Sequence, residues 1–276
     1  LFYVFWEAGM VPIYLAIGMW GGQKRTYAAM KFFLFTFLGS IFMLVAIVYM
    51  YFKTHSFAIA DFQNVNFSHT ESQWIFWGLL VAFAVKVPMW PVHTWLPDAH
   101  TEAPAGGSVV LAALMLKLGA YGLLRFSMPI VPGVHANYQW LLIFLSLVAV
   151  IYVGFASIMQ KDMKRLIAYS SISHMGIVTL GIFMIFVIIN QTHSQTGAVL
   201  SVQGAIFQMI SHGFSSGALF IGVGYIYDRY GSRMISDYSG VTKVMPVFAA
   251  FYLLFCMANV GLPGTSGFVG EAMVVW

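Results

Sequence analysis

Apolar stretches long enough to cross a bilayer follow one another along nearly the whole chain, separated by short polar breaks. A spanning helix needs about 20 apolar residues. By that measure the pattern predicts helices at about 1–19, 28–52, 74–96, 106–127, 138–159, 165–189, 200–227 and 244–276. Two of these are interrupted. In 74–96 the run WIFWGLLVAFAVK meets Pro88 and Pro91, which lack a backbone donor and disfavour helix at the residue before them. In 244–276 the residues Gly261, Pro263, Gly264 and Gly267 break the run, and Glu271 follows. Unwound backbone at membrane depth is tolerated only where protein or a wet cavity surrounds it. The predicted fold class is all-α: a polytopic membrane protein of about eight transmembrane helices, two of them discontinuous.

Composition agrees with this reading. Of 276 residues, 60% are hydrophobic and 8% charged, against about 25% charged in a soluble domain. The net charge of +4 is not a nucleic-acid signal, because the basic residues gather in short loops. Lys24, Arg25 and Lys31, then Lys161, Lys164 and Arg165, then Arg229, Arg233 and Lys243 occupy three alternate connections. Alternating helices place all three on one side, which the excess of Lys and Arg marks as cytoplasm or matrix. The lone cysteine, Cys256, excludes an internal disulfide or a cysteine-held cluster. No basic segment precedes the first apolar run, so no signal peptide is read. The chain begins and stops within apolar runs and is expected to be an internal excerpt of a longer subunit.

Charge inside the spans is costly and marks function by default. Lys86 is the thirteenth residue of the run from Trp74, immediately before a break. Glu7 lies within the first helix, and Lys117 lies about 16 Å into the fourth at 1.5 Å per residue. In the seventh, Gln208, His212 and Ser216 recur at i, i+4, i+8 and make one polar stripe on an apolar helix. His212 can pass a proton on; its alternative role is hydrogen bonding between helices. Glu271 follows the second break. Ser170, Ser173 and His174 share a face of the sixth helix and read as packing. His93, Asp98, His100 and Glu102 match no helix-borne metal motif and read as a polar mouth or hydrogen-bond network. The loop 53–73 is polar and without a motif. Paired interrupted helices point to an inverted-repeat transporter with its site near mid-bilayer. The repeats are expected at 1–127 and 138–276.

HTWLPDAHTEAP (93–104), LMLKLGAYGLLRF (114–126) and GLPGTSGFVGE (261–271) resemble the antiporter-like proton-pumping subunits of respiratory complex I, whose fold Mrp-type cation/proton antiporters and membrane-bound hydrogenases share. The opening FYVFWEAGMVPIYLAIGMWGG and the glutamate of GFVGE resemble the M, or ND4-type, branch. The resemblance implies a fourteen-helix subunit of two inverted five-helix repeats, of which this chain holds the fifth to twelfth helices. It also implies roles. Glu7 pairs with the pump lysine Lys86, Lys117 is the central relay, His212 lies between, and Glu271 is the terminal group. The implied activity is redox-driven proton translocation by a subunit without a redox centre or metal of its own. NADH, FMN, iron–sulfur clusters and quinone belong to partner subunits, and L- and N-type subunits are its membrane neighbours. The location is a bacterial inner membrane, with the mitochondrial inner membrane as the alternative. An Mrp-type antiporter outside any redox complex, and a purely structural scaffold, are the competing readings.

Overall fold

The computed structural model describes residues 1–276. Six helices are long and apolar enough to cross a membrane: α1 (Phe2–Trp20), α2 (Arg25–Thr54), α6 (Ala105–Ile130), α7 (Pro132–Ile158), α8 (Met163–Thr192) and α9 (Gln195–Tyr230). Shorter helices complete the bundle: α3 (Ile59–Asn64), α4 (His69–Lys86), α5 (Trp95–Glu102), α10 (Pro246–Val260) and α11 (Ser266–Val275). Both interruptions fall where the pattern places them. The predicted 74–96 helix is α4, an irregular turn and α5; the predicted 244–276 helix is α10, a Gly-Pro turn and α11. The 53–73 connection is more ordered than its polar composition suggests. Phe62 buries α3 against the bundle. Ser68 and Glu71 then form a reciprocal capping box that starts α4 at His69, supplying two amides that have no intrahelical partner.

The first break is held by identifiable contacts. Pro88 and Pro91 end α4, yet the freed Val85 carbonyl accepts a hydrogen bond from the Trp95 indole at 2.9 Å, and the Val87 amide reaches back to Phe83 at 2.8 Å. Gly119 and Gly122 bring α6 so close to Phe83 and Val87 that a Cβ at either would collide with them. A core of 45 buried residues, with Trp95, Phe32, Phe76 and Phe83 at its centre, packs α1, α2, α4 and α5 against α6 to α9. Large apolar side chains such as Phe42, Val45, Phe144, Phe155 and Phe214 cover the outer faces, as in a bundle solvated by lipid tails.

The three basic connections converge on one end of the bundle. Asp98 on α5 binds Lys31 at 2.7 Å and Arg165 at 3.0 Å. Glu102 caps the Lys24 amide at 2.8 Å. Arg233 reaches Asp162 at 3.4 Å and the carbonyl of Thr101. Apart from Lys31, these residues line an open vestibule of about 1150 Å³. The HTWLPDAHTE segment thus carries its carboxylates to the basic face, which accords with the polar-mouth reading.

Candidate functional site

Lys86 is the last residue of α4 and is 1% exposed. Three features of its surroundings suit an ammonium. The C-terminal end of α4 carries the negative end of the helix dipole. Glu7 is the charged group that acts on it. The Nζ also lies 4.9 Å from the centre of the Trp6 ring. It has no hydrogen-bond acceptor, and Glu7 Oε1 is buried without a donor. The sequence reading pairs Glu7 with Lys86. In the structure they are neighbours without contact, since no ion pair within 4.0 Å joins them.

Lys117 stands about 18 Å into α6, counted from Ala105. The helix around it is not regular: Leu111–Met115 and Leu123–Ser127 are π-helical turns. Such turns inside α-helices are rare and concentrate at functional sites. The Lys117 ammonium donates to the carbonyl of Ala112, within the first π turn, and reaches His212 Nδ1 at 2.7 Å. His212 is 2% exposed. Its Nδ1 accepts from Lys117 when the lysine is charged, so the ring proton sits on Nε2, which is buried without a partner. Ser216 donates to the His212 carbonyl and fixes that turn of α9.

Beyond His212 the structure adds a residue the sequence reading leaves to packing. The His174 ring centre lies 5.6 Å from that of His212, and His174 Nδ1 is 3.0 Å from Glu271 Oε1. Gln208, one turn from His212 on α9, donates to the same Glu271 oxygen at 3.0 Å. Lys117, His212, His174 and Glu271 therefore form a line across α6, α9, α8 and α11. The crevice beside the two rings, framed by Ser211, Ser215 and Asn259, is too narrow for a water molecule. The signal for His174 in sequence is only a histidine on an apolar helix, because its partner Glu271 is 97 residues away.

The break below Glu271 is shaped to the carboxylate. Gly261 caps α10 with φ +76, and Glu271 Oε2 occupies the space where a Cβ on Gly261 would be. Glycine is needed there twice over, for a left-handed backbone and for the missing methyl. Of the predicted residues, the structure joins Lys117 with His212, brings Glu271 to them through His174, and sets Lys86 beside Glu7. It shows no direct contact between Lys86 and Lys117. His100 is fully buried on α5, stacked on Phe220 at 4.6 Å, with neither ring nitrogen hydrogen-bonded.

Comparison with known proteins bears on this arrangement. Subunit M of the NADH-quinone oxidoreductase of Rhodobacter capsulatus is 51% identical over 288 residues, covering all of this chain and 54% of that protein. A chain of respiratory complex I from Thermus thermophilus with bound NADH superposes with a TM-score of 0.91 at 35% identity, over 99% of this chain and 56% of that one. A chain of the Mrp complex from a Dietzia species shares the fold, with a TM-score of 0.87 at 22% identity over 99% of this chain and 50% of that one. The chain thus spans about half the length of the curated relatives it matches. The family described as NADH:quinone oxidoreductase/Mrp antiporter, TM, matches residues 1–276 from end to end. With two broken helices and a partly buried line of ionisable side chains running to the second of them, this multi-pass membrane chain belongs to that family.

Proposed function

We propose that the chain is part of a proton-translocating membrane subunit of an NADH:quinone oxidoreductase in a bacterial inner membrane, the M-type subunit of a larger assembly. The observation that carries this reading is the line Lys117–His212–His174–Glu271. Four titratable groups from four helices meet at mid-depth, where an ionisable side chain is otherwise excluded.

The geometry suits stepwise transfer. A proton passed from Lys117 to His212 Nδ1 releases the one on Nε2. His174 receives it on the ring nitrogen remote from Glu271, and its Nδ1 proton moves to the carboxylate. Each imidazole takes a proton on one nitrogen and gives it up from the other. The tight spacing of the rings makes this step depend on ring rotation or on brief widening of the crevice. That is a means of keeping the path shut until it is driven. Lys86 and Glu7 act upstream: separating or joining them changes how firmly Lys86 holds its proton.

The proposal carries with it two inverted repeats, 1–127 and 138–276. Counted back from each break, the ionisable partner lies two spans upstream: Glu7 on α1 for Lys86, and His174 on α8 for Glu271. Base and acid are exchanged between the halves. Moving one proton against the membrane potential costs about 2.3 kcal/mol per 100 mV. The residues of this chain supply binding and transfer, so the energy comes from redox chemistry in partner subunits that carry NADH, flavin, clusters and quinone. The membrane neighbours are other antiporter-like subunits.

The test uses the whole complex in liposomes, supplied with NADH and quinone. Lys86→Ala is expected to abolish proton transport while the complex still assembles and oxidises NADH. A normal proton-to-electron ratio in that variant would sink the reading. Sodium-dependent proton flux without electron donors would instead favour an Mrp-type antiporter.

A further inference from the structure

We propose that the indole of Trp6 is the resting partner of the Lys86 ammonium, so that Lys86 alternates between the Trp6 ring face and the Glu7 carboxylate. This rests on the proton-translocating reading above and adds to it the group that holds the two charges apart.

The contacts around Lys86 lead there. A buried ammonium ordinarily has a carboxylate or several acceptors. Here it has neither: it is 1% exposed, without a hydrogen bond, and it lies over the Trp6 ring at 4.9 Å. Glu7, the next residue on α1, leaves its Oε1 equally unpartnered. Two groups of opposite charge therefore stand close together and unjoined, and the aromatic ring is what the cation touches. The face of an indole carries the negative part of its quadrupole and attracts a cation most strongly when water is excluded. A neutral amine gains nothing comparable. The ring therefore favours Lys86 in its protonated form during the interval when Glu7 is not bound to it.

The ring is also fixed in place. Trp6 is 3% exposed and meets Phe83, on the same helix as Lys86, edge to face at 5.6 Å; Phe2 packs on it at 5.5 Å. Residues 6 and 7 are adjacent on one helical turn. In this proposal the ammonium passes from the ring to the carboxylate by a change of side-chain rotamer at Lys86 or Glu7, since adjacent residues of a helix point about 100° apart. Glu7 is the one charged group that bears on Lys86. Trp6 is in these terms a positioning residue, acting through Lys86.

The experiment places fluorinated tryptophans at position 6 by stop-codon suppression in the intact complex. Added fluorines weaken the ring-face attraction stepwise while barely changing its shape. In liposomes supplied with NADH and quinone, coupled proton transport is expected to fall in step with the number of fluorines. The total fall should lie between about 2-fold and about 30-fold, the span of cation–π strength from exposed to desolvated sites. Trp6→Phe should fall within the series and Trp6→Leu at its end. A flat fluorine series overturns the inference, whether Trp6→Leu pumps normally or fails from poor packing. In either event, loss of pumping in Lys86→Ala would leave the reading of the chain intact. Normal pumping in Lys86→Ala would remove that reading itself.

Discussion

Replacing Gly261 by alanine should disable the Glu271 end of the line, whereas the same change at Gly264 should not. Both glycines have positive φ, +76 and +94. A positive φ strains an L-residue, by about 1–2 kcal/mol in the left-handed region, so both variants carry backbone strain, Gly264→Ala at the wider angle. They differ in what the new methyl meets. At Gly264 nothing lies within 4 Å, whereas at Gly261 the Cβ would stand 2.6 Å from Glu271 Oε2. The carboxylate must then move, and its other oxygen holds both His174 and Gln208 at 3.0 Å. Hydrogen bonds to a charged group contribute about 1.5–3 kcal/mol each. Loss of one lowers occupancy of the His174–Glu271 contact roughly 10- to 100-fold. Thermal unfolding of the purified complex should show Gly261→Ala as the less stable variant. The proton-to-electron ratio, measured in liposomes, should fall for Gly261→Ala and stay normal for Gly264→Ala. Equal ratios in the two variants would refute the argument that the glycine makes room for the carboxylate.

Three further outcomes are expected. Trp95→Phe keeps the ring but leaves the Val85 carbonyl buried and unpaired, which should lower stability by about 1–3 kcal/mol and speed hydrogen exchange at the α4–α5 turn. Lys117→Met should strand the buried His212 Nδ1 and the Ala112 carbonyl; it should stop proton transport while NADH oxidation continues, as a paired transport and oxidation assay will show. Glu71 lies on the loop side of α4, and its pKa is lowered to about 2 by Lys53, then by Tyr49 and the Ser68 amide. A depressed carboxylate pKa contributes stability above the unfolded value of 4.5 and loses it as pH falls towards 2. The protection of the His69–Ser72 amides relative to their intrinsic exchange should therefore fall as pH drops through that window, and in Glu71→Gln it should show no such dependence.

The all-α class, the two breaks and the ionisable side chains within apolar runs are legible in one dimension. The reason is physical. The bilayer sets the length of an apolar run, proline removes a donor wherever it stands, and a lone charge in such a run is conspicuous in one dimension. Even the mouth was visible, as carboxylates and histidines directly after a broken helix. What adjoins what was not legible. The i, i+4 stripe through Gln208, His212 and Ser216 names a face of α9 but no neighbour for it. His174 meets Glu271 only because α8 and α11 come together across 97 residues of sequence. The family resemblance implies that Glu7 pairs with Lys86, and nothing in the chain's own pattern says that the two meet. Packing put the Trp6 ring against the ammonium and left the two apart. The π turns on either side of Lys117 carry no composition signal at all, because one added residue per turn is decided by how a helix fits its neighbours. Side-chain chemistry and the length of the apolar runs name the ionisable groups that fall within long apolar helices. The distances between those groups follow from contacts among helices far apart in the chain, which no local pattern encodes.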